Sequence, residues 1–319
     1  VLENAGNQFG EGPQVGCCIC GEPQTPPYNL TGGRVYCARH FAVVNRDHPS
    51  FWRTSLAQIL LMAAFSLIVV LIANAIGPLE GTPLLLSGIF LAVAPTALWL
   101  VYFYREDRLE PEPKTRIAAV FFLALLLEDV IGRRLVNDWF RVNEWAPYDT
   151  VTSYLAAVLI LGFTWQAIAY TAVRIGVYAS DEFDERMDGI VYGTVAGLGV
   201  ATLLNLRFVL ENAGVALAPG VVRTVTTALA QASFGGLMGY FMAEAKFSHR
   251  PIWWVPLGFA TTAILNGTFT WLIGEVSAAG LDVAPWRSLV FGLLMALFAF
   301  ALLVLLMRRS RVATLRRVR

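Results

Sequence analysis

The sequence predicts an all-α polytopic membrane protein of about eight transmembrane helices, headed by a small cysteine-rich module. Three observations predict it. Of 319 residues, 56% are hydrophobic and only 15% charged, with a mean hydropathy of +0.59, whereas a soluble domain carries about 25% charge. Eight unbroken apolar runs each reach the ~20 residues that cross a ~30 Å hydrocarbon core as a helix. All four cysteines fall in one short polar segment ahead of the first run.

Residues 1–52 make up the head and its linker. Cys17-x2-Cys20 and Cys37-x2-His40 supply two bidentate arms, and four N/S ligands close a tetrahedral structural zinc site. Between the arms, Pro23, Pro26, Pro27, Gly32 and Gly33 punctuate turns and leave too little apolar surface to hold so small a fold. Bound zinc would supply the missing free energy. The alternative is a disulfide-bonded loop, which a reducing compartment opposes. Cys18 is read as a spectator able to replace Cys17, and His48 as solvated linker. Four protein ligands leave no open position for substrate, so this zinc is expected to be structural rather than catalytic.

The apolar runs lie at roughly residues 55–77, 83–104, 115–136, 151–178, 187–210, 221–246, 253–275 and 288–307, within a membrane domain of residues 53–307. Helices satisfy their own backbone in lipid. A strand barrel would need alternating ~10-residue segments, and these runs are far longer. If both ends are cytoplasmic, 18 of the 24 Lys and Arg residues fall on that side and 6 on the other, which favours an even span count and a cytoplasmic head. The first apolar run follows about fifty polar residues, so no secretory signal peptide is expected. The basic tail, residues 308–319, suits anionic headgroups, and a net charge of +1 gives no reason to expect a nucleic-acid partner.

Within the spans, Glu128 and Asp129 are the well-buried acids. Being adjacent they point to different helix faces, and Arg133 stands one turn beyond Asp129, placed to neutralise it. Arg174 and Arg207 lie near span ends, where they are expected to snorkel. Gly193-x3-Gly197 and Gly235-x3-Gly239 allow close helix contact. The histidines are His40, His48 and His249, and none lies in a span.

The run Tyr104-Arg105-Glu106-Asp107-Arg108-Leu109-Glu110-Pro111-Glu112-Pro113-Lys114, the segment Asp188-Gly189-Ile190-Val191-Tyr192-Gly193 and the segment Gly197-Leu198-Gly199-Val200-Ala201 resemble the PrsW family. These are intramembrane endopeptidases related to the CAAX-prenyl proteases. The resemblance covers about residues 104–273 and implies a bacterial plasma membrane location.

Family members carry a Glu-Glu-x-x-Lys motif, a glutamate in the glycine-rich helix, a histidine in the next helix and a later His-x3-Asp. The resemblance places the paired glutamates at Gln166 and Ala167, the lysine at Tyr170, the helix glutamate at Leu204, the first histidine at Gln231, and the last pair at Asn266 and Thr270. Every expected catalytic position is substituted. Gln166, Asn205, Gln231 and Asn266 are expected to form a neutral amide network holding the former site shut. The resemblance so read implies a non-catalytic scaffold or accessory subunit that binds other membrane proteins. A divergent intramembrane metalloprotease is the alternative. A transporter is a further one, opposed by the scarcity of mid-span charge and the absence of a visible inverted repeat.

Overall fold

The structure, a computed structural model, describes residues 15–31, 34–44, 51–106, 112–278 and 286–316. The predicted segment at 107–111, the linker at 45–50 and the end of the basic tail lie outside the described residues. The chain divides into two compact units, one containing the head and the other comprising Pro49–Asp107 and Pro111–Arg311.

In the head, β1 (Asn29–Thr31) pairs antiparallel with β2 (Arg34–Tyr36), and α1 (Ala38–Val44) follows. The Cys17 to Cys20 arm is a tight knuckle. The Cys17 N–H donates to the Glu22 carbonyl and the Gly21 N–H to the Cys17 carbonyl, both at 2.8 Å. Gly21 closes the turn at φ +71°, a conformation that favours glycine. The only apolar core in the unit's described residues is Tyr36 packed by Phe41, in keeping with a fold that its side chains alone hold poorly.

The described part of the membrane unit is built of helices joined by short connections, with no strand among its described residues. Two long helices, α2 (Phe51–Ile76) and α3 (Gly81–Glu106), precede α4 (Lys114–Leu127), which runs on through π-helical turns at Glu128–Gly132 and Arg134–Trp139. A short α5 (Val142–Trp145) turns the chain into α6 (Thr150–Ala156), and a π-helical turn at Ala157–Gly162 joins it to α7 (Phe163–Gly176). Then come α8 (Arg186–Glu211), α9 (Leu217–Phe247), α10 (Trp254–Ala278) and α11 (Trp286–Arg316). Side-chain caps set two of the starts. Asp149 Oδ1 accepts from the Val151 and Thr152 N–H groups ahead of α6, and Asp188 Oδ2 accepts from those of Asp184 and Glu185 at α8.

Five of these segments are long and apolar enough to cross a membrane: Arg53–Ile76, Gly81–Glu106, Thr150–Gly176, Arg186–Glu211 and Val290–Ser310. That makes the chain a polytopic, all-α membrane protein. The other three long segments do not meet the same test. The α4 run carries Glu128, Asp129, Arg133 and Arg134, and α9 and α10 carry threonines with Gln231, Ser233 and Asn266.

The glycine-rich α8 is the central helix, with 89% of its apolar window buried against 6% for α2. It packs on α9 backbone to backbone. A Cβ added at Gly239 would overlap the Gly189 carbonyl, and one at Gly193 would overlap that of Gly235. Only glycine permits so close an approach. Around this pair sit two apolar clusters, one including Trp99, Phe103, Phe234 and Phe300, the other including Val120, Ile168, Tyr192 and Met238.

Candidate metal centre and membrane cavity

In the head, the ligand atoms of Cys17, Cys20, Cys37 and His40 all lie within 4.8 Å of one another. His40 Nδ1 stands 3.5 Å from Cys17 Sγ and 3.2 Å from Cys37 Sγ, and the sulfurs of Cys20 and Cys37 are 3.9 Å apart. A tetrahedron with Zn–S of about 2.3 Å has S···S edges of about 3.8 Å, so the spacing fits a metal, and it is nearly twice the ~2.05 Å of a disulfide. None of the four cysteines is joined in a disulfide, and Cys18 is exposed.

Electrostatics point the same way. Burial pushes the Cys17 thiol up, but hydrogen bonds from the backbone at Cys37, Cys20 and Ile19 and from His40 outweigh it and bring the pKa down to about 6. For Cys20, a backbone hydrogen bond at Glu22 lowers the pKa, while desolvation and the sulfurs of Cys17 and Cys37 outweigh it and push the thiol up. Crowded sulfurs that resist joint ionisation are what a dication relieves.

In the membrane unit, the predicted amide positions are buried and hydrogen-bonded. Gln231 Nε2 donates to Asn266 Oδ1 at 2.8 Å, and Asn266 Nδ2 returns a bond to Gln231 Oε1 at 3.0 Å, with both residues 3% exposed or less. The other two amides do not join this pair. Gln166 Nε2 donates to the Phe234 carbonyl at 3.3 Å and Asn205 Nδ2 to the Thr224 carbonyl at 3.1 Å. Instead of one four-membered network, there is a reciprocal pair between α9 and α10 and two separate ties to the α9 backbone. The Thr270 hydroxyl donates back to the Asn266 carbonyl at 2.9 Å, Tyr170 packs edge-on against Phe259, and Ala167 is half-buried.

Leu204, Gln231 and Thr270 line one cavity of about 310 Å³, together with Glu128, Arg207 and Arg223. Gln166 and Asn266 are not among its walls. Sequence reasoning gave Arg207 to the membrane interface. It instead reaches across from α8, donating through Nη1 to Glu128 Oε1 at 2.9 Å and through Nη2 to Asp129 Oδ1 at 2.8 Å. The expected Arg133–Asp129 pair is present but longer, at 3.8 Å. Arg207 is 19% exposed and Glu128 2%, so the pair is less screened than a surface bridge. Glu128 Oε2 is buried with no hydrogen-bond partner. Arg174, also expected to snorkel, lies 4.2 Å over the Tyr178 ring.

At the other end of the bundle, Tyr192 donates to Glu112 Oε2 at 2.6 Å, and Glu112 is 5% exposed. Glu112 and the Asp-Gly-Ile-Val-Tyr-Gly helix thus meet through a buried hydrogen bond. Nearby, Glu244 binds Arg186 at 2.9 Å and Arg250 at 2.6 Å.

Long apolar helices packed around a cavity lined by charged side chains define a class of protein: a polytopic, all-α membrane protein. The model of the PrsW family intramembrane metalloproteases matches residues 114–308, and the chain belongs to that family. It is 31% identical over 182 residues to protease PrsW of Geobacillus kaustophilus, covering 57% of this chain and 77% of that protein. It is 28% identical over 188 residues to protease PrsW of Bacillus subtilis, covering 58% and 82%. Against protease PrsW of Oceanobacillus iheyensis, it is 27% identical over 211 residues, covering 65% and 92%. No solved structure matches the chain.

The family's description implies a metal in the membrane, and the side chains at the positions where the resemblance places the family's residues do not fit one. Zinc takes imidazole, thiolate or carboxylate ligands. Gln231 and Asn266 are neutral amides spent on each other, Leu204 offers no donor atom, and the cavity's carboxylates Glu128 and Glu211 have no third ligand spaced to join them. Among the described residues, the one group of three or more His, Cys, Asp or Glu side chains spaced to hold a metal is the head cluster.

Proposed function

We propose that this chain is a PrsW family member that keeps the helix architecture of the family without its hydrolytic chemistry. On this reading it is a non-catalytic scaffold or accessory subunit that binds other membrane proteins in the bacterial plasma membrane. Its head carries a structural zinc on Cys17, Cys20, Cys37 and His40 and faces the cytoplasm with the C-terminus. The observation that carries the reading is the reciprocal Gln231–Asn266 pair. A primary amide does not titrate near neutral pH, so neither side chain can take a proton from water, and their mutual bonds occupy the groups that would otherwise reach a substrate. The test is native purification with subunit identification, alongside a cleavage assay on co-expressed membrane proteins. A stoichiometric partner, one zinc per chain and no cleavage are expected. Cleavage that needs a second metal equivalent overturns the reading.

A divergent protease is favoured by one observation. Glu128, whose Oε2 has no partner, lines the cavity shared by Leu204, Gln231 and Thr270, and a buried carboxylate is a possible general base. Cleavage lost in Glu128→Gln with folding intact would decide for it.

A further inference from the structure

Two buried polar atoms on the walls of adjoining cavities lack a hydrogen-bond partner among the described residues, and they are of opposite kind. The first is an acceptor. Glu128 is 2% exposed, Arg207 engages its Oε1, and its Oε2 has no partner. It lines the cavity of about 310 Å³. The second is a donor. Trp271 Nε1 is buried without a partner, and Trp271 lines a neighbouring cavity of about 490 Å³. Asn143, Leu161, Thr270 and Gly274 belong to both walls, so one molecule can occupy both cavities. Buried polar groups are ordinarily satisfied, and an orphaned acceptor beside an orphaned donor calls for groups supplied from outside the chain.

The charges around Glu128 restrict what supplies them. Arg207 binds both Glu128 and Asp129, Arg133 stands 3.8 Å from Asp129, and Arg223 is engaged over the Phe208 ring at 3.4 Å. These guanidiniums are balanced by the carboxylates of Glu128, Asp129 and Glu211. A ligand with a full charge would arrive uncompensated in a low-dielectric site, so the ligand is neutral. It must also donate at one end and accept at the other. An ammonium only donates and an ether only accepts, whereas a hydroxyl does both. The rest of the wall suits hydroxyls. Asn137 and Asn143 are exposed and each offer an amide donor and acceptor, and Trp165 and Phe269 supply apolar faces for the C–H groups of a ring.

We infer that the adjoining cavities bind a neutral sugar, one hydroxyl donating to Glu128 Oε2 and another accepting from Trp271 Nε1. The sugar belongs either to the headgroup of a membrane glycolipid or to a soluble saccharide. The inference goes beyond the non-catalytic reading and does not depend on it, because sugar retention and substrate cleavage are separate readouts.

The test extracts the full chain in a detergent without a sugar headgroup and places it in phosphatidylcholine nanodiscs. These carry equal amounts of glucosyl-diacylglycerol, galactosyl-diacylglycerol, diacylglycerol, phosphatidylglycerol and phosphatidylethanolamine with matched acyl chains, and native mass spectrometry counts the retained lipids. At least one glycosyl lipid should be retained about tenfold over the other three, the ratio that one further hydrogen bond supplies. Saturable binding of methyl glucoside or methyl galactoside in phosphatidylcholine alone, without glycolipid retention, assigns the soluble source instead. Trp271→Phe keeps a ring and removes the N–H, and should weaken whichever binding is seen about tenfold. Glu128→Leu removes the acceptor and should do the same; should it fail to fold, Trp271→Phe decides alone. No retention of glycolipid together with no binding of glycoside overturns the inference. So does a preference for phosphatidylglycerol or phosphatidylethanolamine, or sugar binding unchanged in Trp271→Phe.

Discussion

Gln231 and Asn266, on neighbouring helices and 35 residues apart in sequence, bind each other through both ends of their amides, at 2.8 and 3.0 Å. Each satisfies in the other a donor and an acceptor that hydrocarbon would leave bare. The pair also ties α9 to α10 at the two positions where the family resemblance places histidines.

Asn266→Ala should therefore destabilise the bundle by about 1–2 kcal/mol, because it strands the Gln231 amide in an apolar interior. The double variant Gln231→Leu with Asn266→Leu should cost less than Asn266→Ala, since no polar group is then left unpaired. Unfolding in mixed detergent micelles measures both. A double variant that costs the sum of the two single changes would show that the amides do not act together.

The glycine seam gives a second test. Gly239→Ala sets a methyl against the Gly189 carbonyl, and the two backbones must part, at about 1–3 kcal/mol. Gly274→Ala is the control, because nothing lies within 4 Å of the added carbon. It should be neutral or slightly stabilising from helix propensity. Equal melting of the two variants would remove the seam from any account of stability.

The class of fold, the convergence of Cys17, Cys20, Cys37 and His40 and the α8–α9 glycine contact were all legible in the sequence, because each is written in a local pattern: hydropathy length, Cys-x2-Cys spacing, Gly-x3-Gly. The role of Arg207 was not. Its partners are 79 and 78 positions away, and nothing local separates a snorkelling arginine from one turned inward to a carboxylate pair. The division of the amides was hidden for the same reason, since periodicity ranks helix faces but does not say which buried amide meets a side chain and which a carbonyl. The π-helical turns at Glu128–Gly132 and Ala157–Gly162 also carry no local signature.

Zinc in the head should be held at neutral pH and released on acidification. The Cys17 thiol sits at about 6 instead of 9.0, so between those values the folded head binds fewer protons than the unfolded chain and its stability rises with pH. That contribution is fully present above 9 and fades as pH falls to 6, while protons compete with metal for the sulfur. Elemental analysis after dialysis against chelator should find one zinc per chain at about pH 8 and a loss at about pH 5. Cys37→Ala should lose the metal at both, and Cys18→Ser should behave as the unaltered chain does, holding it at about pH 8 and losing it at about pH 5. Full zinc in Cys37→Ala would remove that residue from the site.

The last prediction concerns activity, and it follows from which side chains can exchange a proton. Gln166 lies 1% exposed with its amide donating to the Phe234 carbonyl, so on the non-catalytic reading it is a packing residue. Gln166→Ala should lower stability by about 1 kcal/mol through the lost interhelical bond and leave partner association unchanged at matched membrane abundance. Deleting residues 1–52 should weaken that association, because the head is then missing while the helices remain. Abundance has to be matched, since a destabilised membrane protein is degraded and imitates a loss of function. If the chain instead cleaves a membrane substrate, and cleavage disappears in Glu128→Gln with unfolding behaviour and abundance held constant, proton transfer has moved from the family positions to the acid on α4's extension.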